Sequence, residues 1–297
     1  MLLSTQTYNV FRRFGEDKGI AMFAEAGFDA LDFSGFDIGE PDDPLTTADI
    51  ETYAKDLRAR TEACGLHYNQ AHAPFIGWKD GDDAYNNLML ARTERAIRIA
   101  GLLGADCCVV HPFARPGGGE AQKRFNLDFY HRLEKTALEA GTKIALENLW
   151  EYSRKRGCFV PNVCALGTDL ADYLDALNPD AFTGCLDLGH SALVGEEPET
   201  AVRALGNRRL TALHVHDNNY HDDQHDIPFS YGCGIDWNAV TQALGEIDYK
   251  GDLTFEADNF LDRLDDALIL PALTYLAAVG RFLIAKIDAA RPNIIKF

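Results

Sequence analysis

The chain has 297 residues, 46% of them apolar and 25% charged, which is the composition of a folded globular protein and excludes a disordered one. Against 28 Lys and Arg stand 46 Asp and Glu, a net charge of -18; such a field repels polyanions, so neither nucleic acid nor an anionic membrane is expected as a partner. No linker, low-complexity tract or shift in composition divides the chain, and a single domain over 1–297 is expected.

Short β-like runs alternate with longer helical patterns from end to end. A strand over 2–7 leads to a helix over 17–26 that Gly27 closes. A strand over 30–33 precedes a helix that Thr46 or Thr47 can cap and that runs to Cys64. Next come a strand over 66–72, a helix over 83–103 stopped by Gly104, a strand over 107–111, a helix over 126–140 stopped by Gly141, and a strand over 143–147. The glycines Gly117, Gly118 and Gly119 read as a flexible loop ahead of the fourth of these helices. A long loop covers 148–167, then Thr168 caps a helix to Leu177, broken by Asn178-Pro179. A strand over 182–187, a helix over 197–205, a strand over 210–216, a helix over 236–245, a strand over 252–256 and a helical stretch over 271–289 complete the chain. Eight strand–helix units with compact returns imply parallel strands and right-handed crossovers, and they close into an α/β fold of the (β/α)8 TIM-barrel class. The competing open, doubly wound sheet lacks its G-x-G-x-x-G after the first strand.

Seven Cys are scattered in no C-x-x-C spacing, which reads as reduced thiols in a cytoplasmic protein. The N-terminus lacks a basic segment followed by a long apolar one, so no signal peptide is expected, and no apolar run is expected to approach the ~18 residues that span a membrane. A homo-oligomer is compatible with the sequence.

The ligand-type residues fall at strand ends. His72 closes the third strand and His111 the fourth, Glu147 the fifth and Asp187 the sixth; His214 lies near the end of the seventh and Glu256 ends the eighth. Taken alone, each is a cap, a rim residue or a structural histidine. Together, charged groups converging on one barrel mouth repel unless something pairs them, and a divalent cation is the simplest such agent. Glu147, Asp187, His214 and Glu256 are expected to share one ion, with manganese the first expectation and cobalt, magnesium and zinc the alternatives. The two glutamates come from strands three apart and can address a substrate from different sides, one removing a proton and one delivering it. His190 lies one turn beyond Asp187, His216 two residues beyond His214, and Asp223 with His225 offers a further ligand pair. The loop over 148–167 carries Trp150, Tyr152 and Phe159 beside Arg154, Lys155 and Arg156, and is expected to cover the substrate.

These motifs together resemble the xylose isomerase-like barrel superfamily of sugar isomerases, ketose 3-epimerases, inosose dehydratases and zinc AP endonucleases. The resemblance rests on His72-Ala-Pro, His111-Pro, Ile-Ala-Leu-Glu147-Asn, Cys-Leu-Asp187-Leu-Gly-His190, Leu-His214-Val-His216-Asp-Asn, Asp223-Gln-His225, Gly-Cys-Gly-Ile-Asp-Trp237 and Phe-Glu256. It implies a metal held by Glu147, Asp187, His214 and Glu256, with the two glutamates as acid and base and His190 touching substrate; His72, His111, His216 and Trp150 are further candidate substrate contacts, with His216 alternatively standing behind the ligands. The implied activity is sugar or polyol isomerisation or epimerisation through an enediolate, with a keto-sugar lyase or dehydratase as the alternative on the same site. Where ketose 3-epimerases carry a further Glu and an Arg, this chain has Ser153 and Tyr220. The AP endonuclease branch holds three zincs, and its nine ligands match His72, His111, Glu147, Asp187, His190, His214, Asp223, His225 and Glu256, which makes a phosphodiesterase the second alternative.

Overall fold

The computed structural model describes residues 1–34, 43–46 and 49–292. In chain order its elements are β1 (Leu3–Gln6), α1 (Tyr8–Phe14), α2 (Glu16–Ala26), β2 (Ala30–Phe33), α3 (Ile50–Ala63), β3 (His67–His72), α4 (Asp83–Leu103), β4 (Cys107–Val109), α5 (Gly119–Ala140) and β5 (Lys143–Glu147). There follow β6 (Trp150–Ser153), β7 (Cys158–Pro161), α6 (Gly167–Asp175), β8 (Phe182–Asp187), α7 (Leu188–Leu193), α8 (Pro198–Arg209), β9 (Leu210–His214), α9 (Trp237–Glu246), β10 (Leu253–Phe255), α10 (Asp258–Asp262) and α11 (Asp266–Ala290). Eight strands pair in parallel from β1 to β5 and on through β8 and β9, while β10 pairs back onto β1. The last seam is held by one bridge, Val215 to Phe255, where Val215 N donates to Thr254 O at 2.9 Å and Glu256 N to Val215 O at 3.1 Å. The ring is a (β/α)8 barrel, as the alternation of patterns predicts.

Two cores result from strand periodicity. Cys107, Val109, Ala145, Cys185 and Ala212 form a small cluster inside the barrel, whereas Cys108, Ile144, Leu146, Leu186 and Leu213 face outward into the large cluster under the helices. Successive strand residues alternate between these faces. Glu147, Asp187 and His214 stand two residues beyond Ala145, Cys185 and Ala212, so each continues an inward-facing row and aims at the barrel axis.

Several boundaries differ from the sequence expectation. The helix α3 is capped by Asp49, whose side chain accepts from Thr52 N at 2.9 Å, and not by Thr46; Thr47 lies outside the described residues. Of the three glycines read as a loop, Gly117 lies in a turn and Gly118 is the N-cap, but Gly119 already opens α5, whose polar first turns carry no apolar period. α6 begins at Gly167, ahead of Thr168, where Glu196 Oε2 accepts the Gly167 amide at 2.8 Å from outside the helix. α11 begins at Asp266 under an Asp265 cap and carries Pro271 inside it, five residues later than its start. This helix is long and apolar enough, by length and composition, to cross a membrane, which corrects the expectation that no such run exists; half of its most apolar stretch is buried against the barrel.

The loop over 148–167 is not irregular. β6 and β7 pair antiparallel from Trp150–Pro161 to Ser153–Cys158, with Trp150 and Tyr152 packed edge-on against Phe159 at 4.6 and 5.3 Å. The cross-strand aromatic pairs account for the hairpin.

Candidate active site

The barrel mouth holds a cleft of about 370 Å³ lined by His72, Phe75, His111, Glu147, Leu149, Trp150, His190, Asp223, His225 and Glu256. At its floor, His214 Nδ1 lies 3.1 Å from Glu147 Oε1 and 3.2 Å from Glu256 Oε2, with Asp187 Oδ2 at 3.9 Å. One donor atom from each of Glu147, Asp187, His214 and Glu256 falls within 4.8 Å of all the others. His111 Nε2 stands 2.8 Å and His72 Nε2 3.5 Å from the second oxygen, Glu147 Oε2. Neither His111 Nε2 nor Glu147 Oε2 makes a hydrogen bond, although both are buried. Buried polar atoms without partners are rare and costly, and lone pairs that converge without bonding are what a cation would satisfy. Three carboxylates and an imidazole suit a divalent ion by donor chemistry.

Three histidines are set up in the same way. His72 Nδ1 donates to Ala73 O at 2.7 Å, His190 Nδ1 to Asn148 O at 2.9 Å and His225 Nδ1 to Glu256 O at 2.9 Å. A carbonyl only accepts, so each Nδ1 carries the proton and each Nε2 presents a lone pair, the pattern of metal-binding histidines. His225 Nε2 and His190 Nε2 face Asp223 at 3.3 and 3.9 Å, and Asp223 Oδ1 is a further buried atom without a hydrogen bond. The donor atoms of His190, His216, Asp223 and His225 form a second compact group, and those of His72, His111 and Glu147 a third.

Electrostatics separate the two glutamates. Burial pushes the Glu147 carboxyl up, but the imidazoles of His214 and His111 outweigh it and hold it well below the usual carboxylate range. Burial dominates at Glu256, where His214 and His225 only partly offset it, and its pKa is pushed up to about 7. Asp187 is also buried, yet His190 and His216 bring its pKa below the ordinary value.

The residues singled out from the sequence gather at this mouth, but Asp187, His214 and His216 are fully buried and do not line the cleft. His216 Nε2 contacts the Asp187 carboxylate at 2.9 Å, and its ring stacks on His225 at 3.9 Å. Ser153 and Tyr220 serve local structure: Ser153 O accepts from Gly157 N in the hairpin turn at 2.8 Å, and Tyr220 donates its hydroxyl to Glu197 Oε2 at 3.1 Å. Sequence reasoning missed Phe75, whose ring is 71% exposed and sits 4.9 Å from His72 and 4.7 Å from His111. Asp32 was missed as well. It lies in β2, 3.8 Å from His214 Nε2, and its signal was present: a second strand that also carries an acid near its carboxyl end.

Residues 20–273 match the family of xylose isomerase-like TIM barrels. The chain belongs to that family. An L-ribulose 3-epimerase of Methylomonas sp. (strain DH-1) is 27% identical over 249 residues, 82% of this chain and 78% of that protein. An uncharacterised protein of Sinorhizobium fredii (strain NBRC 101917 / NGR234) is 28% identical over 169 residues, 55% of this chain, and the match spans 50% of that protein's length. Among solved structures, a D-tagatose 3-epimerase-like protein superposes with a TM-score of 0.71 over 97% of this chain and 99% of its own, at 20% identity. At that identity the likeness is one of fold, and it agrees with the xylose isomerase-like barrel.

Proposed function

We propose that this chain is a divalent-metal-dependent sugar isomerase or epimerase, acting as one domain in the cytoplasm on a small sugar by proton transfer beside a carbonyl. The observation that carries the reading is the pair Glu147 and Glu256, which flank His214 Nδ1 at 3.1 and 3.2 Å, with a donor atom of each and of Asp187 within 4.8 Å of the others. Two carboxyls that converge on one centre from different strands are placed to act as base and acid. Glu147 takes the proton from the carbon beside the carbonyl, leaving an enediolate, and Glu256 returns one from the other side. Glu147, Asp187, His214 and Glu256 would hold the ion, with Asp223 and His225 available to another. A divalent ion at this position, manganese first and cobalt, magnesium or zinc otherwise, supplies Lewis acidity toward the carbonyl and hydroxyl oxygens. His72, His111 and His190 face the substrate, and Trp150 gives an aromatic wall for its apolar face. The epimerase named among the relatives supports the class. Ser153 and Tyr220, tied into local structure, argue for a substrate grip unlike that of a ketose 3-epimerase.

One observation favours a second reading. The four overlapping ligand groups at the mouth comprise the nine residues of a three-zinc phosphodiesterase, with His216 beside them. A DNA duplex, however, needs many cationic contacts. Arg208 and Arg209 are both bound to Asp175, and Arg13 donates to the carbonyls of Leu261, Asp262 and Leu264. The exposed cluster Arg154, Lys155 and Arg156 at the hairpin tip is a narrow footprint on a chain of net charge -18.

Incubation with candidate ketoses in deuterated water tests the proposal. Solvent deuterium is expected on the carbon beside the carbonyl, and Glu256→Gln should slow its incorporation at least 10²-fold, the scale of general acid–base catalysis. Incision of abasic-site DNA at physiological salt, with no exchange into any sugar, would replace this reading by the phosphodiesterase.

A further inference from the structure

Outside the ligand groups, one buried acid at the mouth has no assigned work. Asp32 is 1% exposed. Its Oδ2 accepts from Gln70 Nε2 at 3.0 Å and lies 3.8 Å from His214 Nε2. Its Oδ1 and His214 Nε2 are both buried without a hydrogen-bond partner. Three other histidines of the cleft, His72, His190 and His225, hand their second N–H to a backbone carbonyl. At His214 Nε2 no such partner is found.

We infer that Asp32 is a positioning residue for His214: it accepts the Nε2 proton and so fixes the tautomer in which Nδ1 turns its lone pair toward the cation. This rests on the metal reading above. If Nδ1 is a ligand, Nε2 carries the proton, and a buried N–H left without an acceptor costs about 1–3 kcal/mol. Asp32 Oδ2 is the carboxylate oxygen facing Nε2, at 3.8 Å, and an approach of about 0.6 Å in the loaded site makes the hydrogen bond. The neighbouring Cys185 is a fully buried thiol and a weak acceptor. Gln70 in turn holds the carboxyl in place, giving the chain Gln70 to Asp32 to His214 to the ion. Carboxylates placed behind ligating histidines orient them and raise their basicity, and losing one weakens metal binding about 10–100-fold.

The test compares wild type with Asp32→Asn. An asparagine at 32 keeps the shape but offers an amide, which can donate to Nε2 and favour the opposite tautomer. Manganese affinity is measured by competition with a chelator, and the apo thermal midpoint is measured alongside. Asp32→Asn should bind manganese about 10–100-fold more weakly with its apo midpoint unchanged. Nitrogen-15 spectra of the zinc-loaded wild type supply a readout that does not depend on the variant folding, and they should show His214 protonated at Nε2. Equal manganese affinity in the two proteins, or a His214 deprotonated at Nε2 in the loaded wild type, overturns the inference and leaves the metal reading standing. A wild type that binds neither ion overturns the metal reading, and this inference with it.

Discussion

The two ends of the barrel treat buried polar groups in opposite ways. At the amino end several buried or half-buried groups are paired. Leu2 N donates to Asp252 Oδ1 at 2.9 Å and Leu3 N to Asp29 Oδ2 at 2.8 Å. Arg281 grips both oxygens of Asp29 at 2.6 and 2.7 Å and the Gly27 carbonyl at 2.8 Å, and Thr142 donates to Ala105 O at 2.8 Å. At the carboxyl end, Asp32 Oδ1, His111 Nε2, Glu147 Oε2, His214 Nε2, His216 Nδ1 and Asp223 Oδ1 are buried and lack hydrogen bonds. The same strands thus run from a closed network to an incomplete one. In a barrel of this class stability resides at the first end and chemistry at the second, and six unpaired atoms gathered among ligand-type side chains at the mouth point to a ligand that completes them.

The comparison breaks most sharply at Asp187. Wild-type protein in manganese at 100 times the dissociation constant should gain about 2.7 kcal/mol of stability, and Asp187→Ala should lose that gain entirely. Thermal melts with and without manganese read this directly; a variant that still responds to the ion would move the site elsewhere. The metal-free variant should also melt lower, by roughly 1 kcal/mol, since Asp187 caps α7 by accepting from His190 N at 2.6 Å.

The opposite end should give the opposite result. Asp29→Ala removes a paired carboxylate that also receives Leu3 N, and should cost roughly 1–2 kcal/mol of stability while leaving sugar exchange at the wild-type rate. Its pH dependence follows from linkage. Burial pushes Asp29 up, but the Arg281 hydrogen bonds and the Leu3 amide outweigh it and hold its carboxyl below the ordinary aspartate range. A carboxyl with a lowered folded pKa contributes stability above its unfolded pKa and loses it as pH falls through the folded one. The gap between wild type and Asp29→Ala in urea midpoint should therefore be full at pH 7 and narrow below about pH 4. A gap that widens in acid would contradict the pairing.

The smallest effect is expected at the hairpin, which belongs to the chemical end but not to its ligand groups. Trp150→Ala should raise the Michaelis constant about fivefold, roughly 1 kcal/mol, with turnover and melting temperature close to wild type. Unchanged kinetics would make β6 and β7 a surface ornament and leave the cleft to Phe75 and the histidines.

Much of this was legible along the chain. Strand and helix periods, the closing glycines at 27, 104 and 141, and the acid or imidazole at the end of strand after strand are local properties, and they suffice for the barrel and for the gathering of Glu147, Asp187, His214 and Glu256 at its mouth. Parity did the aiming, since a residue two beyond an inward Ala145, Cys185 or Ala212 must itself face inward. What the chain could not declare depends on contacts between residues far apart in sequence. The hairpin needed Trp150 and Phe159 to meet across it, and α6 found part of its cap in Glu196. His216, read as a residue behind the ligands or against the substrate, is fully buried with Nε2 2.9 Å from Asp187, and side-chain type alone says nothing of depth. The proton affinities of Glu147 and Glu256 were invisible for the same reason: two identical carboxyls differ only through the burial and the imidazoles that the closed barrel brings to each.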